Sequence, residues 1–343
     1  MRDLIFIRNK IQANHPGVFN QQDPTFNQHL EYEFCRACAA ISENVLIKNQ
    51  QKIIEDFAKS FNDKHLWVSW TDTTELSLQE KKILQLSKIC IDYLECSIPW
   101  VRLPTFIFDQ TQQQHFEALL KQLPSFINKP AIIFDLSGNR GGSSFFAKQI
   151  LVALFGRDYV NSKLERAEAK VSVDWRASKD NLTHLKSLRQ TLSYRENFEF
   201  KNWLDLVIAG MKASLTENKP YFNEVPKKLS KSSSSYELKH SVMAKIIVII
   251  DQCNVSAALD FIDMLKIIDY PVLLVGKTTA ADRLYMEVCT VDLPSGLGAF
   301  SFPIKVYRNR VRGDNEPYRP EIECVSNSVE QLKLIVQKII GEN

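Results

Sequence analysis

Ser256 stands in Asp251-Gln252-Cys253-Asn254-Val255-Ser256-Ala257-Ala258, between the most strand-like run of the chain, Lys245 to Ile250, and an apolar stretch at helical spacing, Leu259 to Ile268. A serine in a strand-to-helix turn has two uses. Its hydroxyl can cap the helix by accepting a backbone N–H. Alternatively, Oγ can project as a nucleophile while the Ala257 N–H faces an oxyanion. The residue types leave both open. A second turn supplies more donors. Ala131 to Phe134 is an apolar run ending in Asp135-Leu136, followed by Ser137-Gly138-Asn139-Arg140-Gly141-Gly142 and then apolar residues at helical spacing from Phe145 to Leu154. Glycine N–H groups at a helix N-terminus suit a negative oxygen, either a phosphate or the oxyanion of acyl transfer. Gly138, Gly141 and Gly142 do not make G-x-G-x-x-G, and no Walker lysine and serine follow them. Gly141 or Gly142 and Ala257 are therefore the candidate oxyanion donors.

A serine needs a base to attack at neutral pH. Six histidines compete for that role. His29, His115, His184 and His240 lie in helical or charged stretches, and His15, before Pro16, reads as a turn brace. His65 sits where the turn Asn62-Asp63-Lys64-His65 meets an alternating run, Leu66 to Trp70, and it is the candidate base; its other reading is a structural histidine. Imidazole titrates near ~6.5 and needs little tuning for this work.

The elements that must carry these residues read as follows. Residues 2 to about 62 are helical in three pieces, broken first at His15-Pro16-Gly17. Trp100 to Phe108 is a strand limited to an edge by Pro99 and Pro104. Phe116 to Phe126 is a helix. Residues 157–243 hold a strand at Ala169 to Trp175, two amphipathic helices, and Lys227 to Ser235 (KKLSKSSSS), a polar loop expected to be mobile and protease-sensitive. Tyr270 to Val275 is another strand. Met286 to Leu293, Gly298 to Phe302 and Ile304 to Tyr307 read as a β-meander, and Val329 to Ile340 as a closing helix. Strand, turn, helix, strand, twice over, predicts parallel βαβ units.

Composition excludes more than it identifies. The 343 residues, 45% hydrophobic with net charge +3, can bury a sizeable core and carry no bias toward nucleic acid. No run of 18 apolar residues predicts a membrane span, and MRDLIFIRNK has no signal-peptide core. Seven scattered cysteines include Cys35-x-x-Cys38, but no second pair follows at zinc spacing, so no metal or other cofactor is expected.

The two stretches AIIFDLSGNRGG and IIVIIDQCNVSAALDFIDMLKIIDYPVLLVGKTTA resemble the tail-specific, or C-terminal-processing, serine peptidases of family S41. The likeness is carried by Asp135, Asn139, Gly141-Gly142, Ser256-Ala257 and Gly276-Lys277-Thr278-Thr279, with Asn14-His15-Pro16 and Asp63-Lys64-His65 upstream. It implies an α/β core of the ClpP/crotonase-like type, built of parallel βαβ units plus a β-meander. An N-terminal helical subdomain (1–75) would precede the core (76–343), with a helical, partly flexible insertion at about 157–243.

Two departures stand out. The family's catalytic lysine, a few residues after the threonine, has no counterpart in Thr279-Ala280-Ala281-Asp282. Leu259 stands where an acidic residue often follows the Ser-Ala pair. With about 60 residues between His65 and Ala131 there is no room for a PDZ module. The chain is thus similar to the PDZ-less branch, like the tricorn core peptidase, which uses Ser, His and Glu. For the third member, Asp314, Glu316 and Glu321 compete in RGDNEPYRPEIE, where the family has its P-D signature near Pro320-Glu321. Glu316 is the choice, and its other reading is a solvated loop carboxylate.

The reading expects a serine peptidase acting on peptides or unfolded chains, with Ser256, His65 and Glu316 at work. Family habit implies export with a leader outside this sequence, the cytoplasm staying open. The alternatives are a non-catalytic peptide-binding relative and a crotonase-type acyl-CoA enzyme that would not need Ser256. Gly142→Val is expected to abolish turnover in a protein that stays folded.

Overall fold

Continuous apolar strands demand cover on both faces, and the two strands that deliver the candidate turns have it. In the computed structural model, residues 1–44, 46–71, 88–94, 98–191, 198–225, 239–324 and 329–341 are described. Lys227 to Ser235 lies outside them. The described strands are β1 Trp67–Trp70, β2 Cys90–Leu94, β3 Ile98–Arg102, β4 Ala131–Asp135, β5 Ser172–Arg176, β6 Tyr221–Glu224, β7 Lys245–Ile250, β8 Val272–Gly276, β9 Tyr285–Asp292, β10 Gly298–Arg308 and β11 Ile322–Glu323. They form two sheets, one in each of two compact units.

Unit 1 joins Met1–Thr73, Lys170–Pro226 and Asp282–Asp314. Its sheet runs β1-β10-β5-β6, with β9 also paired to β10, and every pair is antiparallel. Where the sequence predicts two further strands beyond β9, one long β10 passes straight through Pro303, which pairs opposite Val288. The helices Arg2–Asn14, Phe26–Ser42, Ile47–Lys59, Lys179–Thr191 and Phe198–Thr216 belong to this unit. Leu4, Ile7, Ile11, Phe57, Leu185 and Leu204 pack with Trp175, Phe300, Phe302 and Ile304 of the sheet in one buried cluster.

Unit 2 joins Thr74–Ala169, Lys227–Ala281 and Asn315–Asn343, and its sheet order is β11-β8-β7-β4-β3-β2. All neighbours are parallel except β2 with β3. The period-two alternation of side chains splits β4 and β7 cleanly. Ile132, Phe134, Ile246, Val248 and Ile250 join the core that includes Leu151 and Phe261 of the helices Ser144–Phe155 and Ala257–Ile267. Ala131, Ile133, Ile247 and Ile249 join the opposite one with Leu332 and Val336 of the helix Val329–Gly341. The fold is α/β of the expected ClpP/crotonase-like kind.

β3 corrects the sequence reading. It lies between β4 and β2 rather than at an edge. Pairing with β4 starts at Trp100, so Pro99 falls one residue before it and its missing N–H costs no bond to that neighbour; Pro104 falls past the strand's end. Compactness groups residues by a different rule from the chain-order division at residue 75, because unit 1 is assembled from three separate stretches.

Candidate active site

In unit 2 the ends of β4 and β7 lie side by side, Asp135 opposite Ile249, and each strand runs into a tight turn and then a helix. Buried side chains lace the two turns together. Asp251 Oδ2 accepts the Gly138 N–H at 2.8 Å, and its Oδ1 accepts the Cys253 N–H at 2.8 Å. Asn254, fully buried, donates through Nδ2 to the carbonyls of Leu136 (2.6 Å) and Asn139 (3.1 Å), while its Oδ1 accepts the Asp251 N–H at 2.8 Å. Asn139, also fully buried, donates to the Leu103 carbonyl at 2.7 Å. Each carbonyl left unpaired in such a place costs about 1–3 kcal/mol, so these asparagines bind the turns to one geometry. Asp135 accepts from the Ser137 N–H and from Trp100 Nε1 at 3.0 Å.

That geometry puts Ser256 at φ 55°, ψ −128°. This left-handed region favours glycine, and holding a serine there costs on the order of 1–3 kcal/mol. Ser256 occupies the N-cap position of Ala257–Ile267, yet its side chain caps nothing. Its carbonyl alone accepts the N–H groups of Leu259 and Asp260. The turn is as sharp as a nucleophile elbow requires, and Oγ is left uncommitted to the helix.

The glycine turn approaches this elbow closely. A Cβ on Gly141, whose φ is +90°, would lie 2.8 Å from Ser256 Cβ and 3.1 Å from the Ala257 nitrogen. Gly142, φ +132°, pairs with Phe106: the Phe106 N–H donates to the Gly141 carbonyl and the Ser143 N–H to the Phe106 carbonyl, each at 2.9 Å. A Cβ on Gly142 would fall 2.2 Å from the Phe106 carbonyl. The sequence leaves Gly141 and Gly142 as equal donors, but the Gly141 N–H is spent on Asn139 Oδ1 at 2.8 Å. Among the described residues, the N–H groups of exposed Gly142 and of Ala257 meet no acceptor. The missed signal is Asn139, whose place two residues before Gly141 is the spacing of an Asx turn.

His65 lies in unit 1 and is buried. Asp63 Oδ1 accepts the His65 N–H at 2.8 Å and stands 3.7 Å from His65 Nδ1. On its other side, Asp63 Oδ2 is 3.5 Å from Nε2 of His15. His15 is fully buried, stacked on Phe26 with ring centroids 4.6 Å apart, and its Nδ1 accepts the Gly17 N–H at 2.9 Å. The turn brace read from the sequence is therefore real, and it also faces Asp63.

Burial lowers the pKa of His15, against the opposing pull of Asp63; burial also lowers that of His184. A histidine depressed in the fold is protonated more readily in the unfolded chain, whose value is near 6.5. Its stabilisation is therefore complete above that pH and is lost as pH falls through the lower folded value. Urea unfolding across about pH 7 to pH 5 is expected to show a declining unfolding free energy. His15→Asn, which keeps an acceptor for the Gly17 N–H, should flatten part of that decline; an identical slope in the variant would count against the assignment.

The acidic candidates fall in different places. Asp314, in unit 1, accepts from Arg283 and from the Leu284 N–H at 2.8 Å. Glu321 accepts the Leu274 N–H at 2.7 Å at the edge of β8. Glu316 is an exposed loop residue of unit 2. In the place of the family lysine, Asp282 is fully buried and bonded to Arg312 at 2.8 Å. Among the described residues no cluster of metal-binding side chains occurs, and no helix is long and apolar enough to cross a membrane.

Residues 97–323 match the family model of peptidase family S41. No curated protein sequence matches the chain. Among solved structures, mature CPAF complexed with lactacystin superposes with a TM-score of 0.59 at 13% identity, over 99% of this chain and 98% of that one. A lipoprotein from Streptococcus agalactiae gives 0.51 at 13%, over 99% and 96%. At such identities the likeness is one of fold.

Proposed function

The chain belongs to peptidase family S41, and we propose that it is a serine peptidase in which Ser256 is the nucleophile, His65 the general base, and the N–H groups of Gly142 and Ala257 the oxyanion donors. The Ser256 O–H proton passes to His65 Nε2 as Oγ bonds to the peptide carbonyl carbon, and the carbonyl pair moves onto oxygen facing the two N–H groups. Collapse breaks the C–N bond, with the proton delivered to the leaving amine. Water then repeats the sequence on the acyl-enzyme. Peptides or unfolded chains are the proposed substrates, and export the proposed compartment. No cofactor enters the scheme.

The observation that carries this reading is Ser256 itself: a non-glycine residue held at φ 55°, with a side chain that does not cap its helix. A crotonase-type acyl-CoA enzyme has no use for a strained serine there. A serine-reactive fluorophosphonate tests the proposal. Labelling of the wild type that disappears in Ser256→Ala supports the peptidase. No labelling of either protein, with peptide binding retained, points to the non-catalytic relative.

A further inference from the structure

We infer that Asp63 is the positioning residue that holds His65 in the tautomer a general base needs, and that His15 holds Asp63 in turn. This rests on the reading of His65 as the base. Asp63 is tethered to its partner by the backbone, since Oδ1 accepts the His65 N–H at 2.8 Å. The same carboxylate faces His65 Nδ1 at 3.7 Å. That distance is too long for a hydrogen bond, but the electrostatic preference is unambiguous. Nδ1 is buried, and among the described residues it has no hydrogen-bond partner. A lone pair on Nδ1 would point at a carboxylate, whereas an N–H there is attracted to it. The neutral ring therefore carries its proton on Nδ1 and presents the lone pair of Nε2, the atom that must take the serine proton.

His15 completes the arrangement. Its Nδ1 accepts the Gly17 N–H, so the proton of the neutral ring is on Nε2, which faces Asp63 Oδ2 at 3.5 Å. Asp63, about 4% exposed, thus has a ring N–H on either side. Asp63, Asp23 and Arg283 are the charged groups acting on His15, and burial keeps it neutral. The charge of Asp63 is then left to stabilise the imidazolium that forms on His65 when Ser256 is deprotonated.

Asp63→Asn tests this, because the amide oxygen can still accept the His65 N–H and preserve the turn. It is expected to lower kcat by at least ~100-fold with little change in KM, by analogy with loss of the orienting carboxylate in serine triads. The acid limb of kcat/KM should also move to lower pH, because removing the negative charge disfavours imidazolium. Wild-type kcat and an unmoved acid limb in Asp63→Asn would overturn the inference. A drop in kcat with an unmoved limb would assign Asp63 to the fold alone. If His65→Ala stays active, the failure is that of the base assignment, seen before Asp63 is changed. Should Asp63→Asn not fold, nitrogen NMR of the histidine-labelled wild type decides: His65 protonated on Nδ1 and His15 on Nε2 sustain the inference, and His65 protonated on Nε2 refutes it.

Discussion

Ser256→Ala, His65→Ala and the double substitution are expected to lower kcat for a peptide substrate by about the same factor, on the order of 10⁶. The reason is a shared proton. Without the base, the hydroxyl of Ser256 is a poor nucleophile at neutral pH; without the hydroxyl, the base has no proton to take. Once either is gone, removing the other costs almost nothing more, so the three variants should coincide while their unfolding curves stay close to that of the wild type. The remaining activity should be what the two N–H donors and substrate binding provide. Lys277→Ala serves as the control, because it bears the only lysine near the place of the family's catalytic one, and that place holds Asp282, buried against Arg312. Lys277→Ala should retain most activity. Loss of turnover there, with His65→Ala active, would replace the Ser-His reading by a displaced Ser-Lys dyad.

Glycine substitutions in the oxyanion turn should fall into two groups. Gly142→Ala places a Cβ 2.2 Å from the carbonyl of Phe106 at a residue with φ +132°, and Gly141→Ala places one 2.8 Å from Ser256 Cβ. Neither clash can be relieved by turning a flexible side chain, since the obstacles are backbone and the nucleophile's own Cβ. Each variant is expected to lose ~10²–10³-fold in kcat, the scale on which one misplaced oxyanion donor is felt, and to be destabilised by about 1–3 kcal/mol. The sequence-based expectation that Gly142→Val leaves the fold intact is revised accordingly, because a larger side chain meets the same backbone. Gly138→Ala is the matched comparison. It has φ +76° but nothing within 4 Å of its Cβ, so it should cost stability of about 1–2 kcal/mol while kcat stays within a few-fold of the wild type. Steady-state kinetics beside urea denaturation measures both quantities. Full activity in a folded Gly142→Ala protein would remove this turn from the site.

The apolar runs of β4 and β7 and the polar turns that end them were legible in the chain, because a strand buried on both faces has to be apolar at every position. The resemblance to the S41 peptidases followed from the order of those same pieces. Sequence also singled out Ser256 and the Gly141-Gly142 pair as candidates, by their place in those turns. What sequence could not decide was how hydrogen bonds are allotted. Whether Ser256 caps its helix turns on its backbone angles, in a turn that Asn254 ties to Leu136, 118 residues away. Gly141 and Gly142 differ as donors only because Asn139 claims the first of them. Pro99 misled about β3 because pairing with β4 begins only at Trp100, one residue beyond it, and that register is not written in the sequence. Asp63 was in view two residues before His65, but its meaning depends on His15 closing on it from 48 positions upstream. Apolar patterning is local and survives in one dimension. The pairing of buried polar atoms is a long-range matter, settled only when the chain has folded and each donor has found the nearest acceptor that water can no longer supply.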